Sequence, residues 1–167
     1  MRSTVYLAVP VMLLMLILQA TVLPRFPIWG LTPQLCLLAA TSWGLLRGPE
    51  EGVVWAFIGG FLLDLYTSGP MGALTLAMML AVLLVSLVRQ NFPASSFFMP
   101  LLYAVLATIV FLVAYLILIR LLGHPVTAAA VRDLAALILL DALFMLPIYW
   151  LLGQLERLVN PRRVELR

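Results

Sequence analysis

Apolar residues gather in six runs closed by Gly, Pro or charge, at positions 5–23, 34–46, 52–66, 71–88, 97–119 and 134–152. As a helix the fifth run, Phe97 to Ile119, is roughly 34 Å long and crosses a roughly 30 Å hydrocarbon core. The second and third reach only about 20 to 23 Å. They are either two short spans in a thinned bilayer or a re-entrant hairpin. A hairpin would put its tip, Arg47-Gly48-Pro49-Glu50-Glu51, inside the membrane at about 2.5–3.5 kcal/mol per charge, which favours short spans. The pattern predicts an all-α polytopic membrane protein, a six-transmembrane-helix bundle forming a single domain over 1–167, with a short basic tail at 154–167.

Composition supports that reading. The hydrophobic share is 65 % and the charged share 10 %, with a mean hydropathy of +1.15, against roughly 45–50 % and about 25 % in soluble domains. The run from Val5 to Leu23 lacks an A-x-A-like cleavage site and is expected to stay as a signal anchor. Arg2, Arg47, Arg89, Arg157, Arg162, Arg163 and Arg167 fall on the side of the termini, and Arg25, Arg120 and Arg132 on the other. That bias places both termini in the cytoplasm, with the outer segment from Pro24 to Gly30 as a headgroup-level loop. The tail, with Glu156, Arg157, Arg162, Arg163, Glu165 and Arg167 beside Leu155, Leu158 and Val159, is expected to lie on anionic lipid or to dock a cytoplasmic protein. The net charge of +3 forms no basic stripe with interleaved aromatics, so no nucleic-acid partner is expected.

Membrane helices pack through small residues that let backbones approach. Run three carries Gly52, Ala56 and Gly60 at four-residue steps, and the next step lands on Asp64. Run four repeats the device with Ala73, Ala77 and Ala81. Between them, Gly69 and Gly72 provide a turn able to take positive φ, so the two runs are expected to form a tight antiparallel hairpin. Asp64 is expected to accept bonds from N–H groups of the Thr67–Met71 turn, the alternatives being an ion pair with Arg120 or Arg132, or ligand handling. On that basis Gly60→Leu should cost more than Asp64→Asn, which preserves shape. Asp141 lies deeper in run six, with Pro147 beyond it, and is expected to bond a hydroxyl such as that of Thr41 or Ser42.

Candidate chemistry is sparse. Cys36 is a lone cysteine in an apolar run, and His124 has no second ligand at metal spacing. There is no phosphate loop or dinucleotide fingerprint, and Ser, His and Asp do not converge. No enzyme, metal or cofactor is expected.

Five stretches carry a family resemblance: Gln19-Ala-Thr-Val-Leu-Pro24, Gly30-Leu-Thr-Pro33, Trp43-Gly-Leu-Leu-Arg-Gly48, the run from Gly52 to Asp64, and Ser68-Gly-Pro-Met-Gly72. Together they resemble the MreD family, the multi-pass component of the bacterial rod-shape system. Gly60 and Asp64 with the Gly-rich turn are the most specific part, and Gln34, where the family often places an acid, is a departure. The resemblance implies a non-enzymatic scaffold in the bacterial inner membrane that binds the bitopic protein MreC. Through MreC it would be linked to the MreB filament and to RodA and PBP2 in peptidoglycan synthesis. The family also resembles the six-helix substrate-binding subunits of energy-coupling-factor vitamin transporters. Those typically show an Ala-x-x-x-Ala face on the first helix, whereas the row here is Ala8, Met12, Leu16 and Ala20. The alternative reading, a small-molecule-binding transporter subunit, requires a polar cavity under the outer loops reached by Asp64 or Asp141. A third, a guide for lipid-linked substrate, has no residue signature.

Overall fold

The computed structural model describes residues 2–25, 31–91, 99–123 and 134–159. Its elements are helical: α1 (Arg2–Ile17), running on through a π-helical turn (Leu18–Val22) and a 3-10 turn (Leu23–Arg25), then α2 (Leu35–Arg47), α3 (Pro49–Tyr66), α4 (Ala73–Asn91), α5 (Met99–Leu121) and α6 (Leu134–Val159). Four segments are long and apolar enough to cross a membrane: Tyr6–Arg25, Ala73–Asn91, Met99–Leu121 and Ala135–Val159. α2 and α3 are not among them, at 13 and 18 residues, the latter with three acids.

The shortness of α2 has a packing reason. Every residue from Leu35 to Leu45 is buried, because α2 lies at the centre with α1, α3, α4, α5 and α6 packed against it. A helix that is apolar all round is stable when protein surrounds it, and one that does not face lipid has no need to match the bilayer thickness. The surrounding helices follow the order α1, α3, α4, α5, α6, each packed on the next. Among the described residues no Cα of α1 comes within 8 Å of one of α6, so the ring is open between them.

Small residues bring the inner helices together. Gly48, at φ +105°, is the one-residue corner between α2 and α3 and a conformation that only glycine takes readily. Pro49 then starts α3 where its missing N–H costs nothing, and Glu50 and Glu51 favour that N-terminus. Just past the corner, Gly44 and Gly52 touch, so closely that a Cβ on Gly52 would stand 2.5 Å from the Gly44 Cα. Trp43 and Trp55 stack beside this contact at 4.2 Å between ring centroids, both fully buried. Trp43 Nε1 donates to Glu51 at 3.1 Å, and Arg47 pairs with Glu51 at 3.2 Å and with Glu156 of α6 at 3.7 Å.

Several expectations are corrected. The first run is not a single α-helix to position 23, since regular α geometry stops at Ile17, shortly before Pro24. The third run begins at Pro49, not at 52, because Gly48 turns the chain and the two glutamates cap the dipole. Positions 154–159 are no separate tail. They continue α6, where Glu156 is held by Arg47. Gly69 does not take positive φ, whereas Gly72 does, at +91°. The count of six spans is not established by helix length, and the loop Phe26–Gly30, His124, Arg132, Arg162, Arg163, Glu165 and Arg167 lie outside the described residues.

Gly52→Ala should lower the stability of the purified protein by about 1–3 kcal/mol, because its Cβ meets backbone that cannot yield. Gly153→Ala, in α6 with nothing within 4 Å of the new Cβ, should be neutral or stabilising by up to about 1 kcal/mol. Thermal unfolding in detergent measures both.

Candidate functional site

The start of a helix leaves main-chain N–H groups without helical partners, and in hydrocarbon no water replaces them. At α4 each of the first four has an acceptor. Ala73 N–H donates to the Pro70 carbonyl at 3.2 Å, and Leu76 N–H to the Gly72 carbonyl at 2.9 Å. Between them, Leu74 N–H donates to Asp64 Oδ1 at 3.1 Å and Thr75 N–H to Asp64 Oδ2 at 3.0 Å, with the Thr75 hydroxyl adding a short bond to Oδ2. Asp64 therefore caps α4 from the end of α3, and its charge sits where the α4 dipole favours an anion. The approach depends on Gly60, one turn before it, where a Cβ would come within 2.5 Å of the Thr75 Cα.

Asp141 performs the same task for α2. Gln34 makes no side-chain cap of its own at the start of α2. Its N–H instead donates to Asp141 Oδ1 at 2.8 Å, while the Thr108 hydroxyl of α5 donates to Oδ2 at 3.0 Å. A third side chain completes this helix start, since Cys36 N–H donates to Gln19 Oε1 at 3.3 Å. Gln19 reaches it from the π-helical turn after α1.

The four positions of the small-residue row, Gly52, Ala56, Gly60 and Asp64, are all buried, but they serve two neighbours. Gly52 meets Gly44 of α2, and Gly60 meets Thr75 of α4. Ala73, Ala77 and Ala81 are buried on α4 as expected. Among the described residues Asp64 bonds α4 itself and neither the Thr67–Met71 turn nor Arg120, because Gly60 lets α4 in close enough for its own N–H groups to reach the carboxylate; Arg132 lies outside those residues. Asp141 bonds Thr108 and Gln34, not Thr41 or Ser42, and Ser42 faces Met145 Sδ at 3.4 Å instead. Sequence reasoning passed over Thr75 and Thr108, whose only signal is to be polar inside apolar runs, and gave Gly44 no packing role. Among the described residues no three His, Cys, Asp or Glu side chains are grouped to hold a metal.

Both acids lie at the same end of the bundle, where α2, α4 and α6 begin and α3 ends. Between those ends is a cavity of about 340 Å³. Neither Asp64 nor Asp141 lines it, yet each fixes the backbone of a residue that does, Leu74 and Gln34 respectively.

A family model described as rod shape-determining protein MreD matches residues 1–157 of the 167-residue chain. The chain belongs to the MreD family. The match extends the resemblance carried by positions 18–72 across all the described helices, and with it come a role in rod-shape determination and a membrane setting for the four long apolar segments. MreD is a shape-determining membrane family, and Gly60 and Asp64, which carried much of the resemblance, form a helix-capping junction here. No curated protein and no solved structure matches the chain, so the likeness to transporter subunits gains no support from that side.

The geometry ranks three substitutions. Asp64→Asn must turn its amide N–H2 toward an N–H of Leu74 or Thr75, two donors facing each other, and should cost about 1–3 kcal/mol. Asp141→Asn can keep the Gln34 bond on its oxygen and donate to Thr108 Oγ1, and should cost less. Gly60→Leu, which drives α3 off α4 and breaks the Asp64 cap as well, should cost most. Chemical denaturation of the three variants in one detergent reads the order directly.

Proposed function

We propose that this protein is a non-enzymatic scaffold of the cell-elongation machinery in the bacterial inner membrane, and that it receives the single transmembrane helix of an MreC-type bitopic partner at the opening between α1 and α6. Through that partner it would be linked to MreB, RodA and PBP2. The observation that carries the reading is the open ring: α3, α4, α5 and α6 follow one another around α2, while α1 packs on α3 and α2 and has no Cα within 8 Å of α6. The α1 segment is also the least buried of the four long apolar segments, at 17 %. Along it Val9, Leu13 and Ile17 form an outward row at four-residue steps. Lipid tails are as apolar as leucine, so a helix in the membrane gains by docking only where shape allows close packing. A seam between two unjoined helices offers more contact than the convex back of one helix.

The same reading makes α2 and α3 short spans and puts both termini in the cytoplasm. Arg47, Arg89 and Arg157 stand at one end of the bundle, where α2, α4 and α6 finish, which agrees with the positive-inside rule for that end. The buried carboxylates support a scaffold rather than a reaction centre, since both are engaged by main-chain and hydroxyl donors.

Leu13→Trp, placed on the outward row of α1, should lower recovery of an MreC-type partner in mild detergent by about tenfold, the equivalent of about 1.4 kcal/mol. Leu80→Trp on α4, the helix midway round the ring from the opening and also outward-facing, should leave recovery unchanged. Equal loss from both variants, or from neither, would remove the opening as the docking place.

A further inference from the structure

The last turns of α6 carry an exposed positive charge on the same side as an outward-facing tryptophan. α6 has 26 residues, about 39 Å as a helix, against a hydrocarbon core of roughly 30 Å, so it reaches past the apolar layer. Its apolar run closes at Leu152, and Gln154, Glu156 and Arg157 follow. Arg157 stands about 7.5 Å along the helix beyond Leu152, within the roughly 5–7.5 Å that headgroups add on each side of the hydrocarbon. Trp150 stands about 3 Å inside that limit, at the level where membrane tryptophans collect.

Leu143, Trp150 and Arg157 follow one another at seven-residue steps, close to two full turns, and all three are exposed. They form one outward row, on the side that α6 turns away from α2 and α5. The neighbouring acid faces the other way: Glu156 pairs with Arg47 of α2, which Glu51 also holds. Among the described residues no acid is paired with Arg157. Nor does the sequence beyond it remove the excess, since Arg162, Arg163 and Arg167 stand there against Glu165. This end of α6 is cationic whichever arginine Glu165 meets.

We propose that the outward face of α6 between Trp150 and Arg157 binds a phospholipid of net negative charge, with the Arg157 guanidinium on its phosphate and the Trp150 indole against its glycerol region. A guanidinium holds two phosphate oxygens through parallel N–H bonds, and a cation at headgroup depth attracts an anion that the bilayer itself keeps beside the helix. Charge selects the occupant, because a zwitterionic lipid offers the same phosphate with its own cation next to it. The binding needs no partner protein and stands whether or not the α1–α6 opening receives one.

The test reconstitutes the full chain, carrying Trp29→Phe, in mixed bilayers of phosphatidylcholine and phosphatidylglycerol, with one or the other brominated on its acyl chains. Bromine quenches tryptophan emission at contact range, so the quenching of Trp150 reports which lipid lies beside it. Trp43 and Trp55 are fully buried, and a Trp150→Phe protein supplies their background. The lipid beside Trp150 should be phosphatidylglycerol with a preference of about fivefold or more, the contribution of one arginine near a charged membrane surface. Arg157→Gln should lower that preference about fivefold without moving the melting temperature, since the side chain is exposed. Arg89→Gln, at the end of α4 on the far side of α5, should leave it unchanged. Equal quenching by the two lipids in the protein that keeps Arg157 overturns the proposal whatever the variants do. So does a preference that survives Arg157→Gln, or one that falls as far with Arg89→Gln.

Discussion

A helix whose start is buried in protein must find acceptors for its first N–H groups, and that demand organises this molecule. Leu35 and Cys36 of α2 and Ala73 and Thr75 of α4 are buried, and an unmet group there costs several kcal/mol. The acceptors come from elsewhere in the chain: Asp64 at the end of α3 for α4, Asp141 within α6 for α2, and Gln19 after α1 for α2 again. Each bond is at once a cap and a tie between helices. The carboxylates, costly on their own in a membrane, become favourable because two dipoles need anions where they stand.

The small residues follow from the same demand. A carboxylate side chain is short, so Asp64 reaches the N–H groups of α4 only if the two backbones come close, and Gly60 is the residue that permits it. At the opposite end Gly44 and Gly52 bring α2 and α3 together, with the stacked Trp43 and Trp55 filling the space around that contact. The outcome is a bundle tied at both ends, by carboxylate caps at one and by the Arg47, Glu51 and Glu156 group at the other. Between the ends the helices meet mainly by packing, with Ser42 of α2 donating to Met145 Sδ of α6.

This division explains what the sequence revealed. Apolar runs located the helices, because hydropathy is a local property of the chain, but they placed the end of α1 six residues too late and that of α6 seven too early. The row from Gly52 to Asp64 was legible for the same reason, as a four-residue period along one helix. The partners of the acids were not. Capping by a residue from another helix is a tertiary event, and the local turn Thr67–Met71 was the nearest supply of donors that sequence proximity offered for Asp64. The second run looked too short for a span because length was measured against the bilayer, whereas α2 is surrounded by protein. The extension of α6 to Val159 was hidden by Gly153 and the charges after it, which mark a helix end unless, as here, Arg47 is positioned to receive Glu156.

The Gln19 cap also links the outermost helix to the centre. α1 borders the opening and is largely bare, and the turn that ends it is π-helical. Gln19, in that turn, holds Cys36 of α2 and lines the same cavity as Gln34, which Asp141 holds from α6. The helices on either side of the opening, α1 and α6, have no Cα atoms within 8 Å of each other, yet a side chain from the turn after α1 and one from α6 both bond the start of α2. Those two bonds tie the otherwise separate edges of the ring through α2, and they fix Gln19 and Gln34 in the wall of the cavity.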